Sequence, residues 1–128
     1  MQLAYTILYV QDVPATLAFY QKAFGFKQKM LHGSGDYGEL DTGQTTLSFS
    51  SLSLMKELGK NPSSPQKDHP CFEVAFTTDN VSEAFDRALQ SGAASVQEPA
   101  EMPWGQTTAY VSDLNGFLVE ICTPILIP

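Results

Sequence analysis

Short apolar, β-rich runs alternate along this chain with polar turns and two segments of helical periodicity. The first run, LAYTILYV (3–10), is followed by QDVP, in which Asp12 is a candidate N-cap and Pro14 falls in the first helical turn. Leu17, Phe19, Tyr20, Ala23 and Phe24 then recur at helical spacing, and Gly25 closes the run as a C′ glycine does. Strands are predicted over 26–32, 36–41 and 45–50, separated by GSG (33–35) and DTG (41–43). A polar, proline-bearing stretch, KELGKNPSSPQKDHP (56–70), interrupts the pattern and reads as a linker or mobile loop. The pattern then restarts: a strand over 71–78, a helix over 79–92 from an Asp79 or Asn80 cap to Gly92, and strands over 94–98, 107–113 and 117–123.

Both halves therefore read β-α-β-β-β, and VQDVPATLAFYQKAFGF aligns with TTDNVSEAFDRALQSGA through Val13 with Val81 and Leu17 with Phe85. The expected organisation is one α+β domain over 1–128, with a first module at 1–55, a linker at 56–70 and a second module at 71–128.

Side chains alternate across a strand, so each strand has one face for its helix and one left over. The helix face is predicted to hold Leu8 and Val10; Leu47 and Phe49; Phe72, Val74 and Phe76; and Phe117, Val119 and Ile121. The opposite face holds Tyr5, Ile7 and Tyr9; Thr46, Ser48 and Ser50; Cys71, Glu73, Ala75 and Thr77; and Leu118, Glu120 and Cys122. A merely solvated face would carry more Lys, Arg, Gln and Glu; this aromatic, hydroxylic and acidic mixture points to a partly enclosed cup.

Charge narrows the partners. A chain of 128 residues with net charge −7 and a pI near 4.5 is repelled by nucleic acid and by anionic membrane surfaces. No run approaches the ~18 apolar residues of a membrane span. Two cysteines, Cys71 and Cys122, with no C-x-x-C spacing suit a reduced, cytoplasmic chain. Neither thiol has an electropositive neighbour to activate it, and Ser48 and Ser50 have no histidine base in view. His32 reads as an exposed turn histidine beside GSG and His69 as a surface histidine before Pro70, so no metal-ligand spacing arises. Trp104, in EMPWGQ, reads either as an aromatic platform on a loop rim or as a cap on the core.

The duplicated module, the opening VQDVPATLAFYQKAFGF and the closing WGQTTAYVSDLNGFLVEICTP resemble the vicinal oxygen chelate superfamily, which contains glyoxalase I, extradiol dioxygenases and the bleomycin- and fosfomycin-resistance proteins. The resemblance covers nearly the whole chain and implies mixed sheets curling into an open cup with helices outside, assembled as a homodimer. It further implies that metal-dependent members would place ligands at Tyr5, Ser48, Glu73 and Glu120, of which only Glu120 keeps the ligand residue type. Two carboxylates, a phenol and a serine hold Zn²⁺ or Ni²⁺ poorly, so no metal, no other cofactor and no catalytic residue is assigned. Strand adjacency of the same fold would make Glu73 and Glu120 cross-strand neighbours, with at least one carboxyl pKa raised.

The expectation from these observations is a small-molecule binder resembling the bleomycin-resistance group, taking an aromatic or cationic ligand on Tyr5, Ile7, Tyr9, Ser48, Ser50, Glu73, Trp104 and Glu120. The alternative is a glyoxalase- or lyase-like enzyme in which Glu120 and Glu73 move protons beside a weakly held divalent metal.

Overall fold

The computed structural model describes residues 1–125 of the chain. They divide into two compact units, the first Met1–Ser64 and the second beginning at Pro65.

The first unit runs β1 (Tyr5–Val10), α1 (Val13–Phe24), β2 (Lys27–Leu31), β3 (Tyr37–Asp41), β4 (Thr46–Ser51) and α2 (Leu52–Glu57). Its four strands form one mixed sheet in the order β1-β4-β3-β2, with β1 and β4 parallel and the other pairs antiparallel. α1 starts where expected, because the Asp12 carboxylate accepts from the Ala15 N–H at 3.0 Å and satisfies a donor that the first turn leaves over. It stops at Gly25, whose φ of 78° suits a residue without Cβ and whose N–H reaches the Gln21 carbonyl. Leu17, Tyr20 and Ala23 are buried, as are Leu8, Val10, Leu40 and Phe49 of the sheet, and the Tyr20 and Phe49 rings lie 5.1 Å apart. Gly38 permits that close seating: a Cβ there would lie 2.6 Å from Leu17 Cδ1. α2 was not foreseen; Ser51 caps it through its side chain, occupying the start of the stretch expected to be a linker.

The second unit runs β5 (Glu73–Thr77), α3 (Val81–Gln90), β6 (Ala94–Glu101), β7 (Thr107–Ser112) and β8 (Leu118–Cys122), in the sheet order β5-β8-β7-β6. The pattern repeats: β5 and β8 are parallel, the rest antiparallel. Asn80, rather than Asp79, caps α3, and Asn80 and Glu83 bond each other's end of the first turn. Between β7 and β8 the buried Asp113 carboxylate accepts from the Asn115 and Phe117 N–H groups, both at 2.8 Å, which fixes the DLNG turn and the start of β8. Phe85 and Ala88 of α3 are buried with Ala109, Val111, Val119 and Ile121.

The predicted helix-side positions Leu8, Val10, Leu47, Phe49, Phe117, Val119 and Ile121 are all buried, but in β4 the opposite positions Thr46, Ser48 and Ser50 are buried as well. The face assignment fails at Phe72, which precedes β5, is 43% exposed and meets the Phe117 ring edge-on at 5.7 Å. Alternation alone does not say where a strand begins, and β5 starts at Glu73, two residues later than predicted.

Candidate functional sites on the sheet faces away from the helices

On the second unit, the face away from α3 carries Glu73, Ala75 and Thr77 of β5, Leu118, Glu120 and Cys122 of β8, and Thr108, Tyr110 and Ser112 of β7. The register sets Glu120 directly between Ala75 and Tyr110, whereas Glu73 lies opposite Leu118. Glu73 and Glu120 are therefore diagonal neighbours on adjacent strands rather than a directly opposed pair. The Tyr110 hydroxyl donates to Glu120 Oε2 at 2.9 Å, which fixes that carboxylate in one orientation.

Burial and the two carboxylates set the electrostatics of this face. Burial, then the Glu120 charge, hold the Glu73 carboxyl above its ordinary range. Tyr110 is pushed up to about 12, first by burial and then by its hydrogen bond to Glu120 and the Glu120 charge. Burial and then Glu120 likewise raise the Cys122 thiol, whose Sγ sits 3.7 Å from the Phe76 carbonyl. Such a thiol stays protonated and unreactive at neutral pH, as the sequence suggested. From Glu73 to Ile125 the only basic residue is Arg87, on α3.

On the first unit, the corresponding face carries Tyr5, Ile7 and Tyr9 of β1, Thr46, Ser48 and Ser50 of β4, and Tyr37 and Glu39 of β3. Ser48 stands between Ile7 and Glu39 in the register. The Tyr37 hydroxyl donates to Glu39 Oε2 at 2.7 Å. Burial raises the Tyr37 pKa; the nearby Ser48 hydroxyl opposes that rise and Glu39 adds to it. Ser48 is wholly buried, and its Oγ is the buried side-chain oxygen that makes no hydrogen bond of good geometry among the described residues. The Lys60 ammonium lies 5.8 Å from the Tyr9 ring centroid.

Trp104 is neither a core cap nor a neighbour of Glu73. It is 64% exposed on the turn after β6, and its Nε1 donates to Gln106 Oε1 at 2.9 Å, while Gln106 Nε2 donates to the Thr123 carbonyl at 2.9 Å. With Asp79, Thr107 and Ile125 it lines a cleft of about 510 Å³ beyond the ends of β5 and β8. Glu73 starts β5, so the length of that strand, roughly 13 Å, separates it from this cleft.

Nothing in the donor chemistry suits a tightly held transition metal. Among the described residues, no group of three or more His, Cys, Asp and Glu side chains is gathered closely enough to hold an ion. His32 is taken up in its turn, with Nδ1 2.9 Å from Ser34 Oγ, and His69 is exposed.

The sequence profile of the glyoxalase/bleomycin resistance protein/dioxygenase superfamily matches residues 2–121. The chain belongs to this superfamily. It is 31% identical over 128 residues, covering 94% of its own length and 88% of the relative's, to a lactoylglutathione lyase of Neisseria meningitidis serogroup A. Its fold matches a glyoxalase-related enzyme from Fulvimarina pelagi with a TM-score of 0.85 at 20% identity, over 100% of this chain and 91% of that one. It also matches a glyoxalase/bleomycin resistance protein/dioxygenase family enzyme from Burkholderia phytofirmans with a TM-score of 0.83 at 23% identity, over 98% of this chain and 100% of the other.

Of the eight residues proposed from sequence, Tyr5, Ile7, Tyr9, Ser48 and Ser50 lie on the first unit's face, Glu73 and Glu120 on the second's, and Trp104 at its strand-end cleft. Sequence reading missed Tyr110, Tyr37 and Glu39. Strand parity could have found them, since Ala109, Val111, Gly38 and Leu40 are buried and their chain neighbours face the other way.

Proposed function

We propose that the protein is a small-molecule binder that holds an organic cation on the face formed by β5, β8 and β7, without a catalytic metal. The observation that supports this most is the carboxylate pair: Glu73 is held above its ordinary pKa by burial and by Glu120. A bound cation reverses that penalty, because an opposite charge favours the ionised forms of both groups. Tyr110 keeps Glu120 from rotating away, which lowers the ordering cost of binding. The ligand is sequestered and no bond is made or broken.

Calorimetric titration with benzamidinium and with neutral benzamide tests the reading. Benzamidinium is expected to bind at least about tenfold tighter, and Glu120→Gln and Glu73→Gln each to remove most of that preference. Equal affinity for the two compounds overturns it.

A second reading is favoured by the relative named lactoylglutathione lyase. In it Glu120, fixed by Tyr110, acts as a proton-transfer base. Turnover of lactoylglutathione by the purified protein with added divalent metal, lost in Glu120→Gln, would establish that reading in place of the first.

A further inference from the structure

The chain has three asparagines, and the residue that follows each sets them apart. An asparagine loses its amide when the next residue's backbone nitrogen, freed of its proton, closes on the side-chain carbon, an intramolecular attack whose rate depends on how nearly the two atoms can meet. Asn61 is followed by Pro62, which has no N–H to give. Asn80 is followed by the β-branched Val81, and its side chain is tied to Glu83 as the cap of α3. Asn115 is followed by Gly116, which has no Cβ to obstruct the approach. That pair sits in the turn between β7 and β8, over a clamp made by Asp113. The Asp113 carboxylate accepts from the Asn115 and Phe117 N–H groups, both at 2.8 Å. The Gly116 N–H donates to the Asp113 carbonyl at 3.2 Å, and the Asp113 N–H to the Phe117 carbonyl at 2.9 Å. Asp113 is buried, whereas Asn115 and Gly116 are half-buried, so water touches the reacting pair and the clamp lies beneath it.

We infer that Asn115 is a site of spontaneous deamidation whose rate is set by the Asp113 clamp and whose product loosens the entry to β8. The Gly116 nitrogen, its proton passed to water, bonds to Asn115 Cγ; the Cγ–Nδ2 bond breaks and the amide leaves as ammonia. The five-membered imide that remains is opened by water. Breaking its bond from nitrogen to Cγ gives aspartate at 115, and breaking its bond from nitrogen to the main-chain carbonyl carbon gives the isoaspartyl form, with one more atom in the main chain. Nothing is oxidised or reduced. In the closed turn the Gly116 N–H is committed to the Asp113 carbonyl, so ring closure has to swing that peptide away and proceeds from the opened turn. Opening also breaks the two bonds to the Asp113 carboxylate, the stronger, charge-assisted kind. After the change the clamp cannot re-form as it was. The extra main-chain atom separates the two N–H groups that Asp113 now holds together, and either product sets a new carboxylate two residues from a buried one. β8 begins at Leu118 and carries Glu120, so the altered turn acts on the strand of the proposed binding face, although the reaction itself does not depend on any ligand.

Peptide mapping by mass spectrometry tests it, on the whole chain aged in buffer and, in parallel, in urea concentrated enough to unfold it. Conversion of amide to carboxyl is expected at Asn115 before Asn61 or Asn80, and about tenfold or more slower in the folded chain than in urea. Asp113→Asn, which keeps an acceptor but loses its charge, is expected to react about threefold faster than the wild type in buffer, and Asp113→Ala about tenfold faster. Circular dichroism checks that each variant is folded, and the comparison with urea stands on the wild type alone. The isoaspartyl form, separated by anion exchange, is expected to melt below the unmodified protein. Equal rates in buffer and in urea overturn the inference, as do folded Asp113 variants that react no faster than the wild type, or earlier reaction at Asn61 or Asn80. An isoaspartyl form that melts with the unmodified protein refutes the link to β8.

Discussion

The two units share a scaffold and differ in charge and in the packing of their helices. The first, Met1–Ser64, carries five Lys and five Asp or Glu; the second, from Pro65, carries one Lys, one Arg and nine Asp or Glu, so the chain's net charge of −7 resides entirely in the second. The helices differ as well. α1 buries Val13, Thr16, Leu17, Phe19, Tyr20 and Ala23, whereas α3 buries Val81, Phe85 and Ala88 and keeps a charged outer side. A duplicated module can thus hold its backbone pairing fixed while one copy becomes tightly packed and neutral and the other more loosely covered and acidic. Strand pairing uses backbone groups common to all residues, so the scaffold places few demands on the outward side chains.

The largest expected effect tests the packing half of that contrast. Phe49 is wholly buried and packs its ring against Tyr20 at a tilt of 40°, so Phe49→Ala is expected to cost about 3–5 kcal/mol in urea unfolding followed by circular dichroism. Ile121 occupies the matching place in the second unit, and Ile121→Ala should cost less because no aromatic layer is lost. Equal costs would show that the aromatic layer of the first unit adds no stability.

A smaller effect is expected where the helices meet the third strand of each sheet. Gly38 and Ala109 are register equivalents, opposite Phe49 and Ile121 respectively. Because a Cβ at 38 would meet Leu17 Cδ1 at 2.6 Å and Val13 Cγ1 at 3.2 Å, Gly38→Ala is expected to destabilise by about 1–3 kcal/mol. Ala109→Gly, which removes a Cβ the second unit accommodates, should cost about 0.5–1 kcal/mol. A neutral Gly38→Ala would mean that α1 seats no closer than α3 does.

The smallest effect concerns charge. The Glu73 carboxyl holds its proton to a higher pH in the folded chain than its ordinary value of 4.5, because of burial and of Glu120. Its contribution to stability is therefore fully present below that value and is lost as pH rises through the folded pKa. That burial is only partial, since Glu73 keeps most of its surface in solvent, so screening limits the loss to about 0.5 kcal/mol or less. Melting temperatures of wild type and Glu73→Gln between pH 4 and 8 should diverge as pH rises, with the mutant the more stable at pH 7. A mutant that melts lower at every pH would make Glu73 a structural acceptor and remove the charge contrast between the faces.

What the sequence determined by itself was whatever local chemistry decides. Asp12 with Pro14 and Gly25 delimit α1 because caps and left-handed glycines act within one turn. The duplicated β-α-β-β-β order and the buried faces of β1, β4 and β8 followed from alternation, and Glu120 was legible as a lone carboxylate in an apolar strand. The tertiary structure alone decided which side chains meet. Register between strands set Glu73 against Leu118 instead of Glu120 and gave Glu120 its Tyr110 partner. It also set Ser48 opposite Glu39 and sent Trp104 to a cleft at the strand ends. A one-residue change in pairing would reverse every such neighbour while leaving each strand's own pattern intact, which is why partners across strands are invisible to a reading along the chain.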